Sequence, residues 1–506
     1  MSLSAALSIA ASEIGNINAQ FALLGNNVAN ASSPDYAVET VAQQSVDGGG
    51  TGLGATLGTV GRTLDTSAQA AVFAENGSAA ALQAQATGLQ SIDAAEGAPG
   101  SGSDIASLLG QLGNQFATLE TDPSSAAQQT AVVTAAGMLA QQVNNVSNAI
   151  GAARQSAQNA IVSDVATLNT TLANIAALSK RIVTAQAAGQ STADLANQRD
   201  AAIDTLSHIV SVNVIAQPDG NVLLAAQGGL VLPTDGTAFA TANASLGAAS
   251  TLPGGGVPAI TLNGRDVTQQ LQGGDLGGQI TLRDGTLPTL QANLDEFAYT
   301  LSSRFAAQGL ALFTDGGGTV PAGGGTPVQA GYVGYASEMQ VNPAVAGDPS
   351  LVRDGTTAIA GSPGGASAFT PNPPGGPVGF NTLVTRVLSY TLGAEAQPGV
   401  PQPAPATSGL GASGTLAAGF AAPADLAAQA TSVVAQEAAT SSAVSGQLAD
   451  AQGVQTALQG KLSAGSSVNI DTEMSTMIQL QNAYNASAKV MTGVQAMWTQ
   501  LLQSIG

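Results

Sequence analysis

The chain holds one histidine, His208, and no cysteine. Composition therefore excludes disulfides, thiolate metal sites and cysteine nucleophiles, and leaves His208 alone as a base or nitrogen ligand. It sits between Leu206 and Ile209 in an Ala-rich helical stretch and reads as the surface of a helix bundle. Gln198, Arg199 and Asp200 form a polar triplet suited to capping and ion pairing between helices. The run "FTDGGGTVPAGGG" carries one acid, Asp315, among glycines. Calcium needs roughly six to eight oxygens, so this run is expected to be a loop. The glycines of residues 48–64 do not form a GxGxxG phosphate cradle, and no HExxH, GxSxG or P-loop motif is present. No catalytic residue, cofactor site or metal site is expected. The chemistry of this chain is that of surfaces.

With 506 residues, the chain is long enough for several domains. Only 9% of residues are charged and 3% aromatic, while glycine numbers 62. Cores must be made from small side chains, which suits helices packed close together. Against 32 acidic residues stand 12 basic ones, for a formal charge of −20. Binding nucleic acid or an anionic membrane surface needs clustered Lys and Arg, so neither is an expected partner. No uninterrupted apolar run reaches the roughly 18 residues of a membrane span, and no membrane insertion is expected. "MSLSAALSIAASEIGN" lacks a basic leader and is broken by Glu13 and Asn16, unlike a cleaved secretory signal.

Leu3, Leu7, Ala10, Ile14, Ile17, Phe21, Leu24 and Val28 recur at steps of four and three. That spacing suits an amphipathic core helix or a coiled-coil strand. The far end repeats it through Ile470, Met474, Met477, Gln481, Tyr484, Ala488, Met491, Gln495, Trp498, Leu502 and Ile505, with Asp471 and Glu473 placed for the helix dipole. Two such helices at opposite ends of one chain are expected to pair. Between them, residues 48–64 read as a hairpin and 64–208 as helical, with seams at Val143, Val146, Ile150, Ala153 and Ala157 and then Ile161, Val165, Leu168, Leu172 and Ile175. The helix opened by "STADLANQRD" begins with a plausible capping residue. Alternation around a "PDG" turn makes 210–283 β-rich. Leu287, Leu290, Leu294, Phe297, Leu301 and Phe305 mark a helix over 286–308. From 313 to about 422, Gly and Pro predict mainly loop around a helical "NTLVTRVLSYTL", and 424–462 is helical again.

The expected fold is mainly α with a β-rich insertion: paired terminal coiled-coil helices, a helical bundle and a distal β domain. The boundaries are 1–36 and 468–506 for the terminal pair, 37–209, 286–312 and 424–467 for the bundle, 210–285 for the β-rich part and 313–423 for a Gly/Pro-rich outer region.

"LLGNNVANASSPDY" is similar to the signature of bacterial flagellar rod and hook axial proteins, in which an Asn-rich helix end precedes Thr-Pro-Gly-Tyr. "VNIDTEMSTMIQLQNAYNASAKVMTGVQAMWTQLL" resembles their terminal helix. Within that class, "DLANQRDAAIDTLSHIVSVNV", "GDLGGQITLRD" and "VNPAVAGDPSLVRDG" resemble stretches of the hook-associated protein 1 family, the hook–filament junction proteins. The long helical stretch over 64–208 also favours that family over rod and hook proteins. Asp35 stands where the family has glycine, and the basic residue after the tyrosine is absent; residues 355–420 resemble nothing in it.

The resemblance implies a structural subunit, not an enzyme, that joins hook to filament by polymerising through its terminal helices, which line the inner tube of the axis. Alternatives are another axial subunit (rod, hook or hook-associated protein 3) or, outside the class, a secreted surface adhesin. The assembly residues it implies are Leu3, Leu7, Ile14, Ile17, Phe21, Leu24, Val28, Asn30, Pro34, Tyr36, Ile470, Met474, Met477, Gln481, Tyr484, Ala488, Met491, Trp498 and Leu502. Implied partners are the hook protein, hook-associated protein 3 and further copies in a ring or helical tier. The implied location is the extracellular flagellum, reached through the flagellar type III apparatus without a cleaved signal. A methionine-rich stripe at 468–506 is expected to be covered by an export chaperone before assembly, and both termini to order on docking.

Overall fold

The computed structural model describes residues 3–33, 36–48 and 51–505. The long helices are α1 (Leu3–Ala29), α2 (Thr66–Glu96), α3 (Ile105–Thr121), α4 (Ala126–Ala187), α5 (Ala193–Ile209), α6 (Gly274–Thr281) and α7 (Leu287–Ala307). Short helices α8 (Tyr335–Glu338), α9 (Pro343–Gly347), α10 (Leu351–Asp354) and α11 (Thr382–Arg386) follow, then α12 (Leu426–Ser466) and α13 (Ile470–Ile505). Two antiparallel hairpins stand among them, β1 (Glu39–Gly48) with β2 (Thr51–Arg62) and β3 (Val212–Ala216) with β4 (Val222–Ala226).

Helix starts are set by side chains that accept the orphan amide protons of the first turn. Asp65 accepts from Ser67 and Ala68, Asp104 from Ser107, Asp425 from Ala428, and Asn469 from Asp471 and Thr472. At α5 the cap comes from Ser191, the first residue of the "STADLANQRD" stretch. Thr192 makes no side-chain cap bond; instead the Ala193 amide donates to Ser191 Oγ at 3.3 Å.

The main core joins α3, the first part of α4, α7 and the start of α12. Every seam residue read from α4 and α7 is buried in the body. The second half of α4 packs with α5, β3, β4 and α6 in a separate core. α4 has the length and apolarity to cross a membrane, and its apolar stripe is covered by these two cores.

Two expectations need correction. The 210–283 stretch ends in a helix, α6, at whose start Gly274 adopts φ +66 beside the Ile209 backbone, where a Cβ would collide with the Ile209 carbonyl. The Gly/Pro-rich region is short in regular structure yet well packed: Tyr332, Tyr335, Met339, Val345, Val352, Leu383, Val384 and Val387 all enter the main core. Glycine and proline account for the loop backbone between the one-turn helices, whereas the burial comes from the apolar residues spaced among them.

Candidate assembly interface

α1 and α13 run antiparallel, with Asn27 near the end of one reaching Glu473 in the first turn of the other (Nδ2 to Oε1 3.5 Å). Along α1, Ala10, Ile17 and Leu24 are buried at seven-residue intervals. Leu24 and Ile17 meet Leu480, with Phe21, Val28, Met477 and Ala483 packed around them. Leu3 and Ile14 are half-buried and Leu7 is exposed. The other side of α1 carries the β1–β2 hairpin, where Asn16 Nδ2 donates to the Ala55 carbonyl at 2.7 Å.

On α13 the stripe facing α1 is not the one read from spacing. Met477 and Met491 lie on it, with Ala488 half-buried at its margin, but its most buried members are Leu480 and Val494. Ile470, Met474, Gln481, Tyr484, Trp498 and Leu502 are exposed. The physical reason is visible in the sequence: stepping from Ile470 puts Gln481 and Gln495 in the seam. Burying an unpaired amide costs about 1–3 kcal/mol, and turning the helix by one residue buries Leu480 and Val494 instead. What remains outside is a second apolar surface formed by Ile470, Met474, Ile478 and, further on, Met497, Trp498, Leu501 and Leu502.

A polar clamp ties this pair to the body. Asn27 is 2% exposed. Its Nδ2 donates to the Glu39 carbonyl at 2.9 Å, and its Oδ1 accepts from the Glu39 amide and the Tyr36 hydroxyl, each at 3.0 Å. Asn197 of α5 holds the same segment from the other side, donating to the Ala37 carbonyl at 3.2 Å and accepting from its amide at 3.3 Å. Arg62 at the end of β2 donates to Asn197 at 2.9 Å and to Asp200 at 2.8 Å. The Val38 amide donates to the Ser466 carbonyl at the end of α12. Burial and the nearby Asp194 push the Glu39 carboxyl above its ordinary range, offset by hydrogen bonds from Asn26 and Asn197 and by the charge of Arg62. The Tyr36 hydroxyl is likewise pushed up by burial and by Glu39, Asp194 and Glu473.

Asn30 closes α1, its Nδ2 donating to the Asn26 carbonyl at 3.0 Å. Pro34 and Asp35 lie outside the described residues. Of the triplet near His208, Asp200 pairs with Arg62, Arg199 donates to the Gly220 carbonyl, and Gln198 donates to Asp194. His208 is exposed on α5, 3.8 Å from Asp204. Among the described residues no three His, Asp or Glu side chains are grouped to hold a metal. Asn27, Asn197, Glu39 and Arg62 were not singled out from sequence; the paired asparagines in "LLGNNVANASS" were the one available signal for Asn27.

Comparison with known families matches residues 89–318 to the flagellar hook-associated protein FlgK helical domain. Residues 458–504 match the flagellar basal body rod FlgEFG protein C-terminal domain. A search of curated proteins finds no match. Among solved structures, the flagellar hook junction protein FlgK from Burkholderia pseudomallei is similar at 25% identity and a TM-score of 0.41, over 50% of this chain and 46% of that one. The chain thus spans about half the length of that protein. The helical body is thus similar to the helical domain of FlgK-type flagellar hook-associated proteins, and the last helix to the C-terminal domain of flagellar rod proteins.

Proposed function

We propose that this chain is a structural subunit that joins hook to filament, polymerising through its terminal helices. The observation that carries this reading is the apolar surface left on α13 after it has paired with α1. Ile470, Met474 and Ile478 near one end, and Trp498 and Leu502 near the other, are at least 44% exposed. A patch of this kind marks a protein contact, and an open helical assembly needs different surfaces above and below. In this reading the segments 1–36 and 468–506 form the inner tube, with Leu7, Ile470, Met474, Tyr484, Trp498 and Leu502 in contact between subunits. Ile17, Phe21, Leu24, Val28 and Met477 hold the pair together, and Gln481 joins the outer set. The hook protein, hook-associated protein 3 and further copies are the partners, and the location is the extracellular flagellum after type III export.

Leu7→Asp and Trp498→Asp test it. Both side chains are exposed in the single chain, so the purified variants keep the wild-type unfolding midpoint. In the assembly the new carboxylate is buried without a partner, at a cost of several kcal/mol. Cells carrying either variant keep hooks and lose filaments. Normal filaments from both would refute the assignment. The same α13 surface is the proposed seat of a small helical export chaperone over residues 468–506. Undiminished chaperone capture by a chain ending at 467 would refute that part.

A further inference from the structure

Helix α12 is the covalent route from the body to α13, and its grip on the body lies mainly in its first half. Leu426, Ala430, Val433, Val434, Glu437 and Val444 are buried, whereas only Ala451 and Ser466 are buried beyond them. Glu437 stands at the centre of that grip, facing α2. It is 6% exposed, and the nearby Glu96 is 2% exposed. Asp93 lies one turn before Glu96 on α2 and accepts from Ser441 Oγ of α12 at 2.5 Å. Glu96 Oε1 accepts from the Ile105 amide at 3.4 Å, and Asp104, the cap of α3, adds a further negative charge nearby.

The other walls supply no positive charge. A small recess beside Glu96 and Glu437 is lined by Val146 and Ile150 of α4, Leu290, Asn293 and Leu294 of α7, and Val433 of α12. Glu437 and Asn293 both line this recess, and Glu437 Oε1 and both amide atoms of Asn293, a residue 3% exposed, have no hydrogen-bond partner. Among the described residues the ion pairs lie elsewhere, at Arg62–Asp200, His208–Asp204, Arg283–Asp284 and Arg353–Asp354. Two carboxylates so placed cannot both stay ionised without a cation to balance them.

We propose that this cluster is a proton-operated clamp: protonated Glu437 donates a hydrogen bond to the Asp93 carboxylate across the α2–α12 seam, and loss of that proton to solvent loosens α12 from the body. The chemistry is a single proton exchange with water. Its direction follows from linkage. Burial, then Asp93 and then Glu96 push the Glu437 carboxyl from 4.5 up to about 8; burial, with Asp104 adding and the Ile105 amide opposing, pushes Glu96 up to about 7. Both folded values lie above the unfolded ones, so the folded state holds more protons. The contribution to stability is full below about pH 4.5 and is lost as pH rises through 7 to 8. The clamp therefore closes in mildly acidic surroundings and slackens in mildly alkaline ones.

The test uses the full chain and hydrogen exchange read at peptide level between pH 6.0 and 8.5, corrected for the intrinsic exchange rate. Peptides covering 430–445 and 88–96 should lose protection by at least about ten-fold across this range, since one proton of linkage is worth up to ten-fold per pH unit. Glu437→Gln keeps the shape and a donor for Asp93, so it should remove most of that dependence in these peptides. The peptide around Tyr335, which faces the separate Asp295 carboxyl, serves as the internal control and should behave as in the wild type. Asp93→Asn, removing the charge from the α2 side, should also flatten the response. Protection of 430–445 that is flat with pH in the wild type overturns the proposal. So does a fall in Glu437→Gln equal to that of the wild type. The wild-type series decides the matter even if a variant fails to fold.

Discussion

Replacing Asn27 by alanine isolates the clamp between the terminal helices and the body. Its side chain satisfies both the amide and the carbonyl of Glu39 and accepts from Tyr36. Glu39 is itself 5% exposed, so water does not freely replace the lost partner. Leaving a buried backbone group unsatisfied costs about 1–3 kcal/mol, and two are affected, so the segment should lose about 2–6 kcal/mol of local stability. At about 3 kcal/mol the local opening constant of α1 and of residues 36–44 rises near a hundred-fold. The two large cores do not include α1, so α4 and α7 should be untouched. Hydrogen exchange of the full chain, compared peptide by peptide with the wild type, reads this directly. Unchanged protection of α1 would refute the reasoning, because the clamp would then contribute nothing. Equal loss of protection across α4 and α7 would refute it differently, by making the terminal pair part of the same cooperative unit. Asn27→Asp sharpens the point: it keeps the acceptor, removes the donor and adds a carboxylate beside Glu473, so its defect should be larger at pH 7 than at pH 4.

Leu480→Ala should loosen the α1–α13 pair by about 2–3 kcal/mol, the low end of the usual range because Leu480 borders solvent at 9% exposure; exchange of α13 equal to that of the wild type would count against the stripe described above. Arg62→Ala removes the donor to both Asn197 and Asp200 and leaves Asp200 half-paired, so the β1–β2 hairpin should become more susceptible to limited proteolysis, whereas Arg62→Lys should restore part of the resistance. Asp164 and Asp295 are both pushed up to about 7, first of all by burial. Their folded values exceed their unfolded ones, so their contribution to stability is full below about pH 4 and is lost as pH rises through 7; a urea midpoint that does not drop between pH 5.5 and 8.5 would contradict this.

How much was legible depended on whether a residue's surroundings are written in its own neighbourhood. The seams of α4 and α7 were read residue by residue, since a long helix with one buried face repeats that burial every 3.6 residues. The strand alternation around the "PDG" turn was equally local, and its register, Val212↔Ala226 through Ala216↔Val222, follows from the turn. The pairing of the terminal helices could be inferred from two matching stripes, but the face of α13 could not. That helix is apolar on more than one side, with Ile478, Val490, Met497 and Leu501 outside the seam, and only the partner decides which side is covered. Asn197 reaches a segment 160 residues away, and nothing in its local spacing distinguishes it from a solvated asparagine. The same holds for Glu96 and Glu437, whose local spacing does not mark them as buried; they are covered only because α12 folds back on α2. Periodicity carries which residues need cover; tertiary packing alone decides what covers them, because desolvation and hydrogen-bond partners depend on distances that sequence separation does not encode.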